Sequence, residues 1–200
     1  MTTTPKYKII QIVTPKGVCC LGNIQNVKNW AYLHRNVPLA GKFPEDASFQ
    51  MDDDFPANIK LADALANLHA LLVVSERFAE FLKTEKLLAH NEVHPVSIVN
   101  HKGRRENAKY FIIHQIDDPR CVDEANTVGR KSRLEPDEYS GMKKLVLDEK
   151  KLPPDYTIFR AAEYKSRALI RSDVADKIEK AGFTGIAFFD LEGYKKFLMG

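Results

Sequence analysis

The chain has 200 residues, of which 44% are hydrophobic and 28% charged, and it includes 10 Gly and 10 Pro. This composition excludes disordered, collagen-like and low-complexity proteins, and the length is enough to bury a substantial core without disulfide bonds. The net charge of +3 is spread out, with no quarter of the chain above +2, whereas nucleic-acid-binding proteins concentrate Lys and Arg on one face, so we predict no nucleic-acid partner.

The first 56 residues predict an N-terminal lobe of short elements. Residues 7–13 and 17–21 are rich in β-forming side chains and are separated by a Pro-Lys-Gly turn, which indicates a hairpin or two adjacent strands. Between residues 23 and 56, aromatic residues alternate with Pro, Gly and the acidic run Asp52-Asp53-Asp54, without a helical or strand period. We interpret this stretch as irregular.

In the middle of the chain, the sequence predicts alternating helices and strands. Leucines at 61, 65, 68 and 72 follow the spacing of one helical face and predict a helix over residues 59–69. Residues 71–74 predict a short strand, after which the Ser75 hydroxyl suits the N-cap of a second helix that ends before residue 91. Residues 93–99 and 110–116 predict two further strands joined by a polar turn at 100–105.

The last third begins with a long charged connection, residues 117–139. Strands are then predicted at 142–147, 156–162 and 168–170, followed by a helix for which Ser172 is the expected N-cap. Gly182 stands where a left-handed residue ends a helix, and residues 186–189 predict a returning strand.

Two of these predicted units have the same plan. In the first, LLVV precedes Ser75-Glu76, and in the second, ALIR precedes Ser172-Asp173, at an offset of 97 residues. Each reads as strand, capping serine with an acidic residue, helix and strand. Duplication explains the likeness, and so does convergence on good helix-start chemistry.

Together these elements predict a single α+β domain. Its core, over residues 57–200, is expected to be a mixed, mostly antiparallel sheet packed against two or three helices, with residues 1–56 as the N-terminal lobe.

Catalytic motifs are not found in the sequence. It contains no nucleophile elbow, P-loop, HExxH or dinucleotide fingerprint, and Cys19, Cys20 and Cys121 form neither a disulfide framework nor a CxxC pair. We therefore expect reduced thiols. A thiol enzyme would have to combine Cys121 with His114 and Asp123, and it would need a lowered thiol pKa that nothing local guarantees.

A metal site is also not predicted. His90 and His94 have the spacing of one helical face, but Pro95 disfavours a helix there, and the later His101 and His114 match no common zinc pattern. The run 52–54 lacks the further oxygen ligands that a divalent cation needs. We predict no metal and no cofactor.

The N-terminal sequence MTTTPKYKIIQIV contains no apolar stretch of the kind that a signal peptide needs, and the longest strictly apolar run elsewhere is residues 70–74. We therefore expect a cytoplasmic protein with no membrane partner.

Four segments follow one another in a characteristic order between residues 59 and 191. They are LLVVSERFAEFLK with NEVHPVSIV, YFIIHQI followed by DDPRCVDEA, KLVLDEKKLPPDYTIFRAAEY, and ALIRSDVADKIEKAGFTGIAFFDL. The last part of this order contains, one after another, the residues Phe159-Arg160, Ser172, Ala181-Gly182 and Gly185. This order resembles a bacterial family of polymorphic-toxin immunity proteins, the immunity-protein-eleven family, formerly classed as a domain of unknown function.

The resemblance implies a non-enzymatic protein that binds a cognate toxin and neutralises it by occluding its active site. In such an interface, a few aromatic or Arg anchors supply most of the affinity, and complementary charges set specificity and association rate. The family pattern does not locate the surface, so candidates follow from residue type alone. They are Trp30, Tyr32, Asp52, Asp53, Asp54, Arg104 and Arg105.

Alternatives remain open from the sequence. For Trp30 the alternative is core packing, which residue type favours slightly over an interface role. Arg160 and Asp123 adjoin strand segments and are expected to be structural polar anchors. The alternative function is a small-ligand-binding protein or a thiol-dependent enzyme that uses Cys121, His114 and Asp123.

Overall fold

A computed structural model describes residues 6–191 of the chain. Within that range there are twelve strands, two α-helices and two short 3-10 helices. The strands are β1 (Tyr7–Ile12), β2 (Leu21–Gln25), β3 (Ser48–Met51), β4 (Ala64–Leu65), β5 (Leu72–Ser75), β6 (Asn91–Val99), β7 (Tyr110–Gln115), β8 (Val128–Lys131), β9 (Tyr139–Lys144), β10 (Ile158–Ala161), β11 (Tyr164–Arg171) and β12 (Ile186–Asp190). The helices are α1 (Glu76–Thr84) and α2 (Ser172–Lys180), and the 3-10 helices are Trp30–His34 and Glu149–Lys151.

The strands form three sheets. One has the order β10-β11-β1-β12, another has the order β2-β3-β6-β7-β5-β4, and β8 pairs with β9 in the third. Strands β3 and β6 run parallel, and the other pairs with a defined register are antiparallel. The hairpin predicted near the N-terminus is wrong, because β1 and β2 belong to different sheets.

The predicted α+β fold, with a sheet packed against two or three helices, is also wrong. The described chain is mainly β, and each of its two α-helices has only nine residues. No helix within residues 6–191 combines the length and apolar character needed to cross a lipid bilayer.

The largest error lies at residues 59–69, where leucine spacing predicted a helix. Leu65 is fully buried in β4, whereas Leu68 is 67% exposed, so these leucines do not share a face. The side chain of Asn67 holds a loop instead. Its amide donates to the Leu71 carbonyl at 2.8 Å and its oxygen accepts from the Leu71 N–H at 3.0 Å. Asparagine side chains compete in this way with helical backbone hydrogen bonds.

The described residues form two compact units, each with its own core. The first unit contains residues 6–11, 117–181 and 187–191, and the second contains residues 12–116 and 182–186. In the first unit, Tyr7 packs edge-on against Phe159, with ring centroids 5.5 Å apart. The core of the second unit includes Leu21, Phe49 and Ile98, all fully buried. Removal of this apolar surface from water is the main driving force for each unit.

In the second unit, several local predictions are confirmed. The strands predicted at 93–99 and 110–116 are β6 and β7. The Ser75 hydroxyl caps α1 by accepting a hydrogen bond from the Phe78 N–H at 3.3 Å. The buried face of α1 carries Phe78, and the ring of Phe183 stacks on it at 4.3 Å. The cap and the apolar face therefore locate this helix correctly from sequence.

In the first unit, α2 begins differently from the prediction. Ser172 is the first residue of the helix, and Arg171 occupies the N-cap position without a side-chain cap hydrogen bond. The Arg171 guanidinium instead bonds the Asp173 carboxylate, at 2.5 and 3.0 Å. The N-cap predicted at Ser172 is therefore wrong. The left-handed backbone predicted for Gly182 is confirmed by its φ of +68°.

Candidate functional site

Trp30 and Tyr32 are two residues apart on the 3-10 helix Trp30–His34 of the second unit. Their exposed fractions are 42% and 39%, so the core alternative for Trp30 is wrong. The Trp30 ring rests against the ring of His69, with centroids 4.3 Å apart. Both side chains therefore offer large, partly exposed apolar surfaces with polar tips, a combination common in protein interfaces.

The other predicted contact residues lie in two neighbouring loops of the second unit. The acidic run 52–54 follows β3, and Arg104 and Arg105 are exposed in the turn after β6. Asp53 Oδ1 is 3.2 Å from His101 Nδ1, which joins the acidic run to this turn. The Asn100 side chain accepts a hydrogen bond from the Arg104 N–H at 3.1 Å and so organises the turn. The structure thus brings five of the seven predicted residues into adjacent loops.

A cavity of about 380 Å³ opens beside the 3-10 helix, and the sequence analysis did not identify it. Its volume falls in the range of small-molecule pockets, which is also enough for a partner's side chain. The residues that line it are Asn26, Val27, Lys28, Asn29, Tyr32, Leu39, Lys42, Phe43 and Pro44.

The strand pairing of β6 with β7 creates a polar cluster in the second unit. Glu92 and His94 are two residues apart on β6 and so point to the same face of the sheet, and His114 on β7 is directly opposite Glu92. Glu92 Oε2 lies 3.0 Å from His94 Nε2 and 3.6 Å from His114 Nδ1. The two ring nitrogens are 3.3 Å apart. Each of the three side chains thus directs one potential ligand atom at the other two.

Neighbouring segments hold this cluster in position. The Leu39 N–H donates to Glu92 Oε2 at 2.8 Å, and the Ala40 N–H donates to Glu92 Oε1 at 3.2 Å. The Phe43 ring stacks on the His94 ring at 4.3 Å. His94 and His114 are 5% and 2% exposed, so the imidazoles are almost completely removed from water.

Burial controls the charge of the cluster. It lowers the pKa of His94 despite the neighbouring carboxylate, and burial together with His94 lowers the pKa of His114. The Tyr32 carbonyl partly opposes the lowering of the pKa of His114. The other ring nitrogen, His114 Nε2, makes no hydrogen bond of standard geometry. Burial alone would raise the pKa of Glu92, but the N–H groups of Leu39 and Ala40 and the two histidines lower it overall. At neutral pH the cluster is one carboxylate with two neutral imidazoles.

Sequence reasoning considered the histidines but overlooked Glu92. Part of the signal was present, since His94 lies inside a correctly predicted strand, where alternate residues share a face, and Glu92 directly precedes the predicted start at residue 93. The contribution of His114 was not visible, because it depends on the register between β6 and β7. Chemically, this arrangement can share a proton or ligate a cation.

The thiol alternative receives no support from the surroundings of Cys121. Cys121 is fully buried in the first unit, and burial together with Glu163 raises the pKa of its thiol to about 12. A nucleophilic thiol needs a lowered pKa and access to substrate, so Cys121 has the character of a structural residue.

The two predicted polar anchors also lie in the first unit. Arg160 is 4% exposed and donates a hydrogen bond from Nη1 to the Lys165 carbonyl at 2.5 Å, and burial lowers its pKa to about 10. The half-buried Asp123 accepts hydrogen bonds from Asn126 Nδ2 at 2.7 Å and from the Ala125 N–H at 3.1 Å. Both residues therefore stabilise local backbone, as predicted.

Comparison with known proteins tests the resemblance inferred from the sequence. Residues 7–193 match the immunity protein family Imm11, which confirms that resemblance and extends it into the N-terminal region. No curated protein shows significant similarity to the chain. The match spans far more than half of the 200 residues. The chain therefore belongs to the Imm11 immunity protein family.

Proposed function

We propose that this protein binds a cognate bacterial toxin in the cytoplasm and neutralises it by covering the toxin's active site, without catalysing a reaction itself. The family match over residues 7–193 is the observation that carries this proposal. The buried, high-pKa thiol of Cys121 supports a binding role over the enzymatic alternative.

Trp30 and Tyr32 are the proposed anchors of the interface. Both are exposed on the same short 3-10 helix, and Tyr32 also lines the cavity beside it. Aromatic residues supply much of the affinity of protein interfaces because they bury large areas at low cost in conformational entropy. A toxin side chain that enters this cavity would pack against Leu39 and Phe43.

The acidic run 52–54 and the basic turn at Arg104 and Arg105 are the proposed electrostatic component. Most of these side chains are exposed, so their ion pairs with a partner would lie in high dielectric. Such charges affect association rate and partner choice more than they affect final affinity. Opposite signs in adjacent loops favour a toxin surface that also carries both signs.

The test begins with co-expression of this chain and each toxin encoded beside its gene, followed by titration of the purified pair. We expect rescue of growth and a stable complex with one toxin. Trp30→Ala and Tyr32→Ala should each weaken the complex by about 10-fold or more. Leu134→Ala is the matched control, because Leu134 is 91% exposed but lies in the first unit.

Charge substitutions separate the electrostatic component of the interface from the aromatic anchors. Arg104→Ala with Arg105→Ala should mainly slow association, and this effect should shrink as salt is added. Failure to rescue growth from every neighbouring toxin would refute the proposed function. Rescue that survives Trp30→Ala and Tyr32→Ala with unchanged affinity would leave neutralisation intact but refute this interface.

A further inference from the structure

We infer that Glu92, His94 and His114 form a Zn²⁺-binding site in the second unit. This inference does not depend on the proposed function, because it rests on the geometry and chemistry of the three side chains.

The spacing of the three ligand atoms fits one metal ion. Glu92 Oε2, His94 Nε2 and His114 Nδ1 form a triangle with sides of 3.0, 3.3 and 3.6 Å. In a tetrahedral zinc site with bonds near 2.0–2.1 Å, neighbouring ligand atoms are about 3.3–3.4 Å apart. An ion at that bond length from all three atoms would stand about 0.7 Å outside their plane, which is the tetrahedral position.

Charge balance also favours a cation. The groups that face the Glu92 carboxylate are the N–H groups of Leu39 and Ala40 and the rings of His94 and His114. None of these neighbours is a Lys or Arg side chain, so none carries a permanent positive charge. Carboxylates that are largely removed from water, as Glu92 is with 13% of its side chain exposed, are normally paired with a cationic group or coordinate a metal. A divalent ion would supply the missing charge.

The identity of the ligands favours zinc over Mg²⁺ and Ca²⁺. Two imidazoles and one carboxylate are a frequent zinc ligand set, whereas Mg²⁺ and Ca²⁺ prefer oxygen atoms almost exclusively. The hydrogen bonds from Leu39 and Ala40 would orient the carboxylate, as outer contacts commonly do at metal sites.

The site would connect two parts of the second unit. Its ligands are on β6 and β7, while Leu39 and Ala40, bonded to Glu92, belong to the segment that lines the cavity. Phe43, which stacks on His94, is part of the same wall. Zinc would therefore stabilise the cavity by fixing the carboxylate that holds this segment.

The test uses the full chain after treatment with a chelator and exchange into metal-free buffer. Addition of Zn²⁺ should give one tightly held equivalent per chain, measured by elemental analysis after gel filtration. The midpoint of thermal unfolding should rise by about 5–10 °C when free Zn²⁺ is 100 times the dissociation constant. Co²⁺ should bind at the same site and produce the intense visible absorption of four-coordinate cobalt.

Glu92→Gln, His94→Asn and His114→Asn should each abolish the retained equivalent and the thermal shift. His101→Asn is the matched control, because His101 contacts the exposed Asp53 and lies outside the cluster. If a cluster variant fails to fold, the cobalt spectrum of the unmodified chain still shows whether the chain binds a four-coordinate metal ion. No retained zinc in that chain, or equal retention by a folded His114→Asn variant, would overturn the inference.

Discussion

The carboxylate of Asp63 is held by the guanidinium of Arg77 through two hydrogen bonds, from Nε to Oδ1 at 3.1 Å and from Nη2 to Oδ2 at 2.7 Å. The Ser75 hydroxyl donates to the same carboxylate at 2.9 Å, and so do the N–H and the hydroxyl of Thr184. Asp63 therefore links β4, the start of α1 and the segment 182–186 within the second unit. These contacts make it a strong candidate for a stability-determining residue.

Asp63→Asn should destabilise the second unit by about 2–3 kcal/mol, because it removes the charge that receives five hydrogen bonds. Urea unfolding followed by Trp30 fluorescence measures this, since Trp30 is the one Trp in the sequence and lies in that unit. The control Asp53→Asn should change the free energy of unfolding by less than about 0.5 kcal/mol, because Asp53 is highly exposed. Equal effects of the two substitutions would contradict the role assigned to Asp63.

The same carboxylate should make the second unit sensitive to acid. Burial alone would raise the pKa of Asp63, but hydrogen bonds from Arg77, Thr184 and Ser75 outweigh it and lower the pKa to about 2. Because the folded pKa lies below the unfolded value of about 3.9, this contribution is complete above about pH 5 and is lost as the pH falls towards 2. Urea midpoints measured between pH 5 and 2.5 should fall less steeply for Asp63→Asn than for the unmodified chain. Parallel pH profiles would show that Asp63 is not responsible.

Gly185 should tolerate no side chain. Its φ is +82°, and a Cβ atom there would lie 2.1 Å from the Ala64 carbonyl oxygen. We expect Gly185→Ala to cost about 3 kcal/mol or more, since strain and a backbone clash act together. Gly103→Ala is the comparison, because Gly103 has a φ of +71° but no atom within 4 Å of the added Cβ, and it should cost only about 1 kcal/mol. Thermal unfolding of the two variants would refute the clash if their midpoints coincided.

The three thiols should differ sharply in reactivity. Burial and the neighbouring Cys20 raise the pKa of Cys19 to about 11, and burial and Glu163 raise that of Cys121 to about 12. Cys20 is only half-buried. An aromatic disulfide reagent near neutral pH should therefore label Cys20 quickly, and Cys19 and Cys121 only after unfolding. Cys20→Ser should remove the fast phase, and a fast phase that persists in this variant would contradict its assignment to Cys20.

Sequence patterns predicted the features that depend on neighbours along the chain. Ser75 caps α1 because its hydroxyl reaches an amide three residues away, and Gly182 adopts a left-handed backbone at the end of α2. The residues of β6 and β7 were recognised from their composition in the same way. The leucines at 61–72 mimicked a helical period, but the Asn67 loop and the burial of Leu65 in a sheet outweighed that local preference.

By itself, the sequence determined the family and located α1, β6 and β7, because these features are carried by residue type and linear order. Only the tertiary structure decided which face each strand buries and which residues become neighbours. Glu92, His94 and His114 form one cluster because β6 pairs with β7 in one particular register. A shift of this register by one residue would turn the His114 side chain to the opposite face of the sheet from Glu92. Long-range strand pairing, which the linear pattern does not specify, therefore created the candidate metal site.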